Sequence, residues 1–165
     1  MMSTTHAMNP IPSTSRAKRS FVRMLRARDA LDRLMNTLQS PAALLARLFV
    51  AQVFFASGLT KLRDWDITLS LFADEYQVPW LSPEVAAWLG TAGELGLPVL
   101  LAVGVGGRFA ALGLGVVNAV AVVSLAEIAP AALQQHITWG VLLAGLAIFG
   151  NGRWTLDALL TVKSE

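Results

Sequence analysis

The sequence contains no cysteine, only one tyrosine and only two histidines, His6 and His136. The lack of cysteine excludes disulfides, thiol catalysis, iron–sulfur ligation and cysteine-based zinc sites. A bis-histidine haem within one chain would have to use His6, which lies in a Ser/Thr/Pro-rich tail. The sequence therefore predicts no metal site and no intrinsic cofactor.

Charged residues are also scarce, since they make up 15% of the 165 residues while 55% are hydrophobic. Soluble domains carry about 25% charged residues. Four apolar stretches between Pro41 and Gly150 approach the roughly 20 residues that cross a bilayer core of about 30 Å. They predict an all-α polytopic membrane protein, a bundle of four transmembrane helices preceded by an amphipathic helix. The positive excess precedes the first span, which favours lipid over nucleic acid as a partner.

The domain organisation follows from these changes in composition. We predict a disordered tail at 1–19, a basic amphipathic surface helix at 20–40, the bundle at 41–152 and a cytoplasmic tail at 153–165. The predicted transmembrane spans cover 42–62, 84–103, 108–128 and 132–149. A short interfacial helix at 67–76 and a helical turn from Leu156 are also expected.

The distribution of Lys and Arg predicts the orientation. The first forty residues contain seven of them, and Arg108, Arg153 and Lys163 belong to the same side. The opposite side has only Lys61 and Arg63. Because cytoplasmic loops are rich in Lys and Arg, both termini are expected in the cytoplasm of a bacterial-type inner membrane.

Charged residues inside the predicted spans are the main candidates for a functional site, because charges at that depth usually face a partner or a cavity. Arg47 and Lys61 lie on one face of the first span, together with Phe54 and Gly58. Glu94 lies near the middle of the second span. Counting helix rise from opposite ends predicts an Arg47–Glu94 ion pair, which is either functional or only fixes helix register.

Three further features accompany these charges. Pro98, four residues after Glu94, is expected to kink the helix and open a small cavity. Asn118 is expected to form an interhelical hydrogen bond. Asp66, Glu127 and His136 are candidates for a polar cluster at the outer face.

The motifs together resemble the DoxX family. They are RLFVAQVFFASGLTKL at Arg47–Leu62, the mid-helix Glu94, the turn Gly107-Arg108-Phe-Ala-Ala and GNGRWTLDALL at Gly150–Leu160. The resemblance covers roughly residues 44–160 and implies a four-helix membrane bundle. It marks these recurrent family positions: Arg47, Gly58, Lys61, Glu94, Arg108 and Asp157. Relatives include the DoxD-type subunit of thiosulfate:quinone oxidoreductase, and others are thought to join membrane-associated oxidoreductase complexes.

Three functions remain open at this point. The first is a membrane subunit of a redox-related complex with a protein partner, in which Arg47, Glu94 and Phe54 contact a quinone. The second is a non-catalytic structural or anchoring subunit. The third is a small transporter or channel with a midplane charge relay, which would require oligomerisation of the chain. In each case an accessory role is expected rather than that of a complete enzyme.

Overall fold

The structure, a computed structural model, describes residues 14–162, and side chains from 18 to 161. Residues 1–13 of the predicted tail, with His6, and 163–165 of the C-terminal tail lie outside the described residues. All regular elements of the described part are helices, which confirms the all-α prediction. Their bounds are α1 Thr14–Arg63, α2 Trp65–Asp74, α3 Pro83–Val103, α4 Gly107–Val123, α5 Pro130–Phe149 and α6 Leu156–Val162.

Three of these helices, α1, α3 and α5, are long and apolar enough to cross a membrane. The fourth predicted span corresponds to α4, which has only 17 residues and a length of about 25 Å at 1.5 Å per residue. A membrane protein with several spans is therefore confirmed, while the count of four stays a prediction. The orientation of the termini also stays a prediction.

Large apolar side chains on the bundle surface indicate contact with lipid. Leu45 and Val141 are each 68% exposed, and Phe149 is 74% exposed. A water-soluble monomer rarely exposes large contiguous apolar patches. These side chains fit a bundle whose outer surface contacts the hydrocarbon chains of the bilayer.

Some helix ends differ from the predictions. α1 already begins at Thr14, six residues before the predicted helix start at residue 20. The sequence did not predict this first part because residues 14–19 contain no apolar residues at helical spacing. α4 ends at Val123, five residues before the predicted end, because the chain turns at Ser124, whose carbonyl accepts a hydrogen bond from Gln77 N. The interfacial helix α2 lies two residues earlier than predicted, since the Asp64 side chain caps it by accepting from Ile67 N.

The chain divides into two compact units, Met1–Leu38 and Gln39–Glu165. The core of the second unit is formed by apolar residues of four helices. Its buried members are Val50 and Phe54 of α1, Leu101 of α3, Ala110, Ala111 and Leu114 of α4, and Leu143 and Leu146 of α5. A smaller cluster joins α2 to α3 through Phe72, Ala86 and Ala87.

The second unit has two ends that matter for function. We call the end that carries α2 the α2 end, and the end that carries α6 the α6 end. At the α6 end, Gly104 terminates α3 with φ 75°, a left-handed conformation that glycine adopts readily. The Asp157 carboxylate of α6 then accepts a hydrogen bond of 2.8 Å from Gly106 N, the first residue before α4.

Candidate functional site

The most distinctive polar contact of the second unit is an ion pair between α1 and α3. The Nζ atom of Lys61 lies 2.6 Å from Oε2 of Glu94, with side chains only 19% and 10% exposed. Lys61 also donates a hydrogen bond of 3.1 Å to Ser57 Oγ. Because an isolated buried charge is costly, each partner offsets the desolvation of the other.

The register of this pair is fixed by Gly58, one turn before Lys61. A Cβ on Gly58 would lie 2.9 Å from Leu95 Cδ2 and 3.1 Å from Glu94 Cβ. The Leu95 side chain therefore occupies the space that a side chain at residue 58 would need. This contact places Lys61, at the last turn of α1, beside Glu94 near the middle of α3.

The predicted Arg47–Glu94 ion pair is wrong. Arg47 is only 1% exposed, and its Nη2 donates a hydrogen bond of 2.8 Å to the Trp154 carbonyl at the α6 end. Its Nη1 would lie 2.6 Å from a Cβ on Gly104, and Gly104 is ten residues, about 15 Å, beyond Glu94 on α3. Counting rise from assumed helix ends placed Arg47 too close to Glu94. The Nε and Nη1 atoms of Arg47 have no hydrogen-bond partner among the described residues.

The predicted cluster of Asp66, Glu127 and His136 does not form through any contact of the described residues. Asp66 and Glu127 are exposed, because Glu127 follows the early end of α4. His136 instead faces α4, where its Nδ1 lies 2.8 Å from Asn118 Oδ1. The Asn118 Nδ2 group donates a hydrogen bond of 3.0 Å to the His136 carbonyl. The interhelical hydrogen bond predicted for Asn118 is therefore confirmed.

Two polar residues near the ion pair had no functional role in the sequence-based interpretation. Tyr76, in the segment after α2, is half-buried and its ring centroid lies 4.9 Å from that of Phe72. Burial raises the pKa of Tyr76, and the negative charges of Glu94 and Glu75 raise it further. The negative charge of Glu94 therefore acts on the Tyr76 phenol.

Thr91 is the second such residue. It lies three residues before Glu94 on α3, hence on nearly the same face. Its side chain is 2% exposed, and its Oγ1 has no hydrogen-bond partner among the described residues. The three-residue spacing between Thr91 and Glu94 could have identified Thr91 from the sequence. The position of Tyr76 could not be identified in this way, because it depends on the fold of the loop after α2.

The three proposed quinone contacts are not brought together. Phe54 is 4% exposed within the core, where its ring meets Trp139 edge to face at 5.9 Å. Arg47 and Glu94 lie at different levels of the bundle, as described above. An open apolar groove of about 330 Å³ does lie between α1 and α3. Its lining residues are Leu48, Ala51, Gln52, Phe55, Pro98, Val99, Ala102 and Val103.

A second polar region lies at the α6 end, where three of the recurrent positions are found. Besides the buried Arg47, it includes Arg108, near Gly150 at the end of α5, and Asp157, which caps α4. The Ser40 hydroxyl of α1 accepts a hydrogen bond of 3.2 Å from Arg153 N. These contacts attach the segment after α5 to α1 and to the α3–α4 turn, which indicates a structural role.

The geometry therefore places the ion pair, Thr91 and Tyr76 near the α2 end and a set of structural contacts at the α6 end. No curated protein and no solved structure matches the chain. A family model, DoxX, matches residues 42–127, about half of the chain, including α3, α4 and the part of α1 that carries Arg47 and Lys61. The chain belongs to the DoxX family.

Proposed function

We propose that this chain is a membrane subunit of a redox-related, quinone-linked complex, in which Glu94 takes up and releases a proton. The observation that carries the proposal is the Lys61–Glu94 ion pair, buried between apolar helices. Ionisable residues inside membrane bundles commonly serve proton relays and substrate pathways. The half-buried Tyr76 phenol adds a polar group at the α2 end.

The open apolar groove between α1 and α3 supports a quinone as the ligand. Its volume of about 330 Å³ lies at the lower end of small-molecule pockets. Pro98, which lines it, is four residues and about 6 Å along α3 from Glu94. A quinone ring bound near Pro98 would therefore lie slightly more than one helical turn along α3 from Glu94.

The reaction requires a partner protein. Reduction of a quinone to a quinol consumes two electrons and two protons, and this chain has no cysteine that could hold an iron–sulfur cluster. A dehydrogenase-type partner supplies the electrons in this proposal. Glu94 supplies each proton in turn and is reprotonated from the aqueous side of the α2 end.

Purification of the tagged chain in a gentle detergent tests this proposal, with mass spectrometry of co-purifying proteins and of extracted lipids. We expect a dehydrogenase-type protein and about one quinone per chain. An Ala102→Phe variant, which fills the groove from a half-buried position of α3, should lose the quinone and keep the protein partner. Recovery of the chain with lipid alone would contradict the proposal.

A non-catalytic anchoring subunit is the second candidate, and the close approach of Gly58 to Leu95 favours it. In that case the ion pair only fixes the register of α1 against α3. A buried ion pair replaced by apolar residues of similar volume is often neutral or stabilising. The double variant Lys61→Met/Glu94→Leu should then keep both assembly and quinone reduction, whereas the redox proposal predicts assembly without quinone reduction.

A further inference from the structure

The first unit carries an apolar surface with a distinctive charge pattern. The described side chains of this unit, from 18 to 38, belong to α1 and are all exposed. Their large apolar members are between 39% and 64% exposed: Phe21, Val22, Met24, Leu25, Leu31, Leu34, Met35 and Leu38. Surfaces of this kind mark sites that bind a partner or a membrane.

The helical positions divide this segment into two faces. At 100° per residue, all of these apolar residues except Val22 fall within an arc of about 180°. A second arc of about 80° contains only basic charges. Its four members are Arg19, Arg23, Arg26 and Arg33. A helix with one apolar and one arginine-rich face is typical of segments that lie at the surface of an anionic bilayer.

One ion pair interrupts the apolar face. Arg28 Nε lies 3.9 Å from Asp32 Oδ2, and the two side chains are 76% and 62% exposed. Asp32 therefore partly neutralises Arg28, and the long arginine side chain can reach the headgroups while its methylene groups stay in an apolar environment.

The width of the apolar face argues against a second copy of the chain as the occupant. A two-stranded coiled coil uses a narrow seam of residues at alternating spacings of three and four. One such seam is uncharged and consists of Met24, Ala27, Leu31, Leu34 and Leu38. It is narrower than the apolar arc of about 180°, so it leaves other large apolar side chains of the face uncovered. A lipid surface covers the whole arc.

We propose that the apolar face of residues 18–38 docks on a bilayer surface that contains anionic lipids, with the four arginines of the basic arc contacting the headgroups. The unit carries seven basic residues and two acidic ones, Asp29 and Asp32, so its charge complements an anionic membrane. Each arginine near such a surface contributes about a fivefold factor to binding. This docking does not depend on the redox proposal.

Nitroxide labels in the full-length chain test the docking directly, because the absence of cysteine allows single labels without a background. Met35→Cys reports on the apolar face, and Ala30→Cys, about 140° away, reports on the basic face. Both variants are reconstituted in phosphatidylcholine vesicles with and without one quarter phosphatidylglycerol. Collision with oxygen, which enters lipid, is compared with collision with a nickel chelate, which stays in water.

With phosphatidylglycerol we expect the label at residue 35 to be reached by oxygen and protected from the nickel chelate, and the label at residue 30 to show the opposite. Equal nickel accessibility of the two labels would overturn the proposal, because the segment would then lie in water. Spin–spin broadening of the label at residue 35 would also overturn it, in favour of a second copy.

The arginine arc is tested by a matched pair of variants. Replacing all four arginines by Gln should remove the difference between the two labels, whereas replacing them by Lys should preserve it at low salt. Pure phosphatidylcholine vesicles should resemble the Gln variant. If the Gln variant kept the full difference in oxygen and nickel accessibility between the labels at residues 35 and 30, the proposed contribution of the arginine charges to docking would be overturned.

Discussion

Gly58 of α1 lies against Leu95 of α3 so closely that a Cβ at residue 58 would be 2.9 Å from the Leu95 side chain. This contact seats the Leu95 side chain in the space beside Gly58, one turn before Lys61. Close approach at small residues is a common basis of helix association in membranes. The position of Lys61 beside Glu94 therefore depends on a residue that carries no charge.

Substitution of Gly58 should destabilise the bundle. Gly58→Ala forces Leu95 and the Glu94 Cβ to move, and we expect a loss of about 1–3 kcal/mol in the free energy of unfolding. Gly96→Ala is the matched control, since a Cβ there meets nothing within 4 Å and alanine has the higher helix propensity. Unfolding in mixed detergent micelles measures both variants, and equal stabilities would contradict the close contact.

Removal of one partner of the ion pair should cost more than removal of both. Lys61→Met leaves Glu94 buried without its cation, and we expect a loss of about 3–5 kcal/mol. The double variant Lys61→Met/Glu94→Leu should recover most of that loss. A double-mutant cycle measured by unfolding gives the coupling energy.

The exposed Arg28–Asp32 pair provides the comparison for this cycle. Its side chains are 76% and 62% exposed, and such pairs contribute about 0–1 kcal/mol. Arg28→Gln should therefore change the unfolding free energy by no more than about 1 kcal/mol. A coupling between Lys61 and Glu94 as small as this would show that their pair is effectively solvated.

The ionisation of Tyr76 reports on the charge of Glu94. The pKa of Tyr76 is raised by burial and by Glu94 and Glu75, so its absorbance should titrate above the ordinary value of about 10. Because it is the one tyrosine of the chain, the signal has no background. Glu94→Gln should lower the midpoint pH of the Tyr76 absorbance titration, whereas Asp66→Asn should leave this midpoint unchanged.

The same shift has a consequence for stability at high pH. In the folded protein, the raised pKa keeps the Tyr76 phenol protonated at pH values at which the same phenol is already ionised in the unfolded chain. The stability it contributes is present below the unfolded pKa of about 10 and is lost as the pH rises through the folded pKa. Tyr76→Phe should make the bundle less sensitive to alkaline pH, and a parallel decline of both proteins would contradict the assignment.

The cap that Asp157 provides should stabilise the start of α4. Its carboxylate accepts a hydrogen bond from Gly106 N and carries a negative charge favourable at a helix N-terminus. Asp157→Ala should cost about 0.5–2 kcal/mol and speed hydrogen exchange in the first turn of α4. Asp74→Ala, at the exposed end of α2, is the control that should leave this exchange unchanged.

Much of the fold could be predicted from local signals in the sequence. Ser82-Pro83 predicts the start of α3, and Gly104 and Gly150 predict the ends of α3 and α5 because these residues act within one turn. The charges at Lys61 and Glu94 were also identifiable, because they interrupt apolar runs.

The pairing of those charges could not be predicted in the same way. It depends on the axial register of α1 against α3, which the contact of Gly58 with Leu95 fixes between distant parts of the chain. A helix count from assumed ends gave Arg47 as the partner of Glu94, although Arg47 contacts the Trp154 carbonyl. The approach of Tyr76 also depends on the long-range fold, since its loop pairs with Leu125 after α4.

The role of Glu94 as a proton-exchanging group is tested most directly by quinone reduction in membranes that contain Glu94→Gln, with the rate divided by the amount of assembled chain. Glutamine keeps the size of the side chain and can still accept a hydrogen bond from Lys61, but it cannot exchange the proton. Asp66→Asn, an exposed carboxylate of α2, is the matched control. We predict normal assembly with a loss of at least about 100-fold in rate for Glu94→Gln and an unchanged rate for Asp66→Asn. An assembled Glu94→Gln complex with the rate of the unsubstituted chain would contradict the proposal.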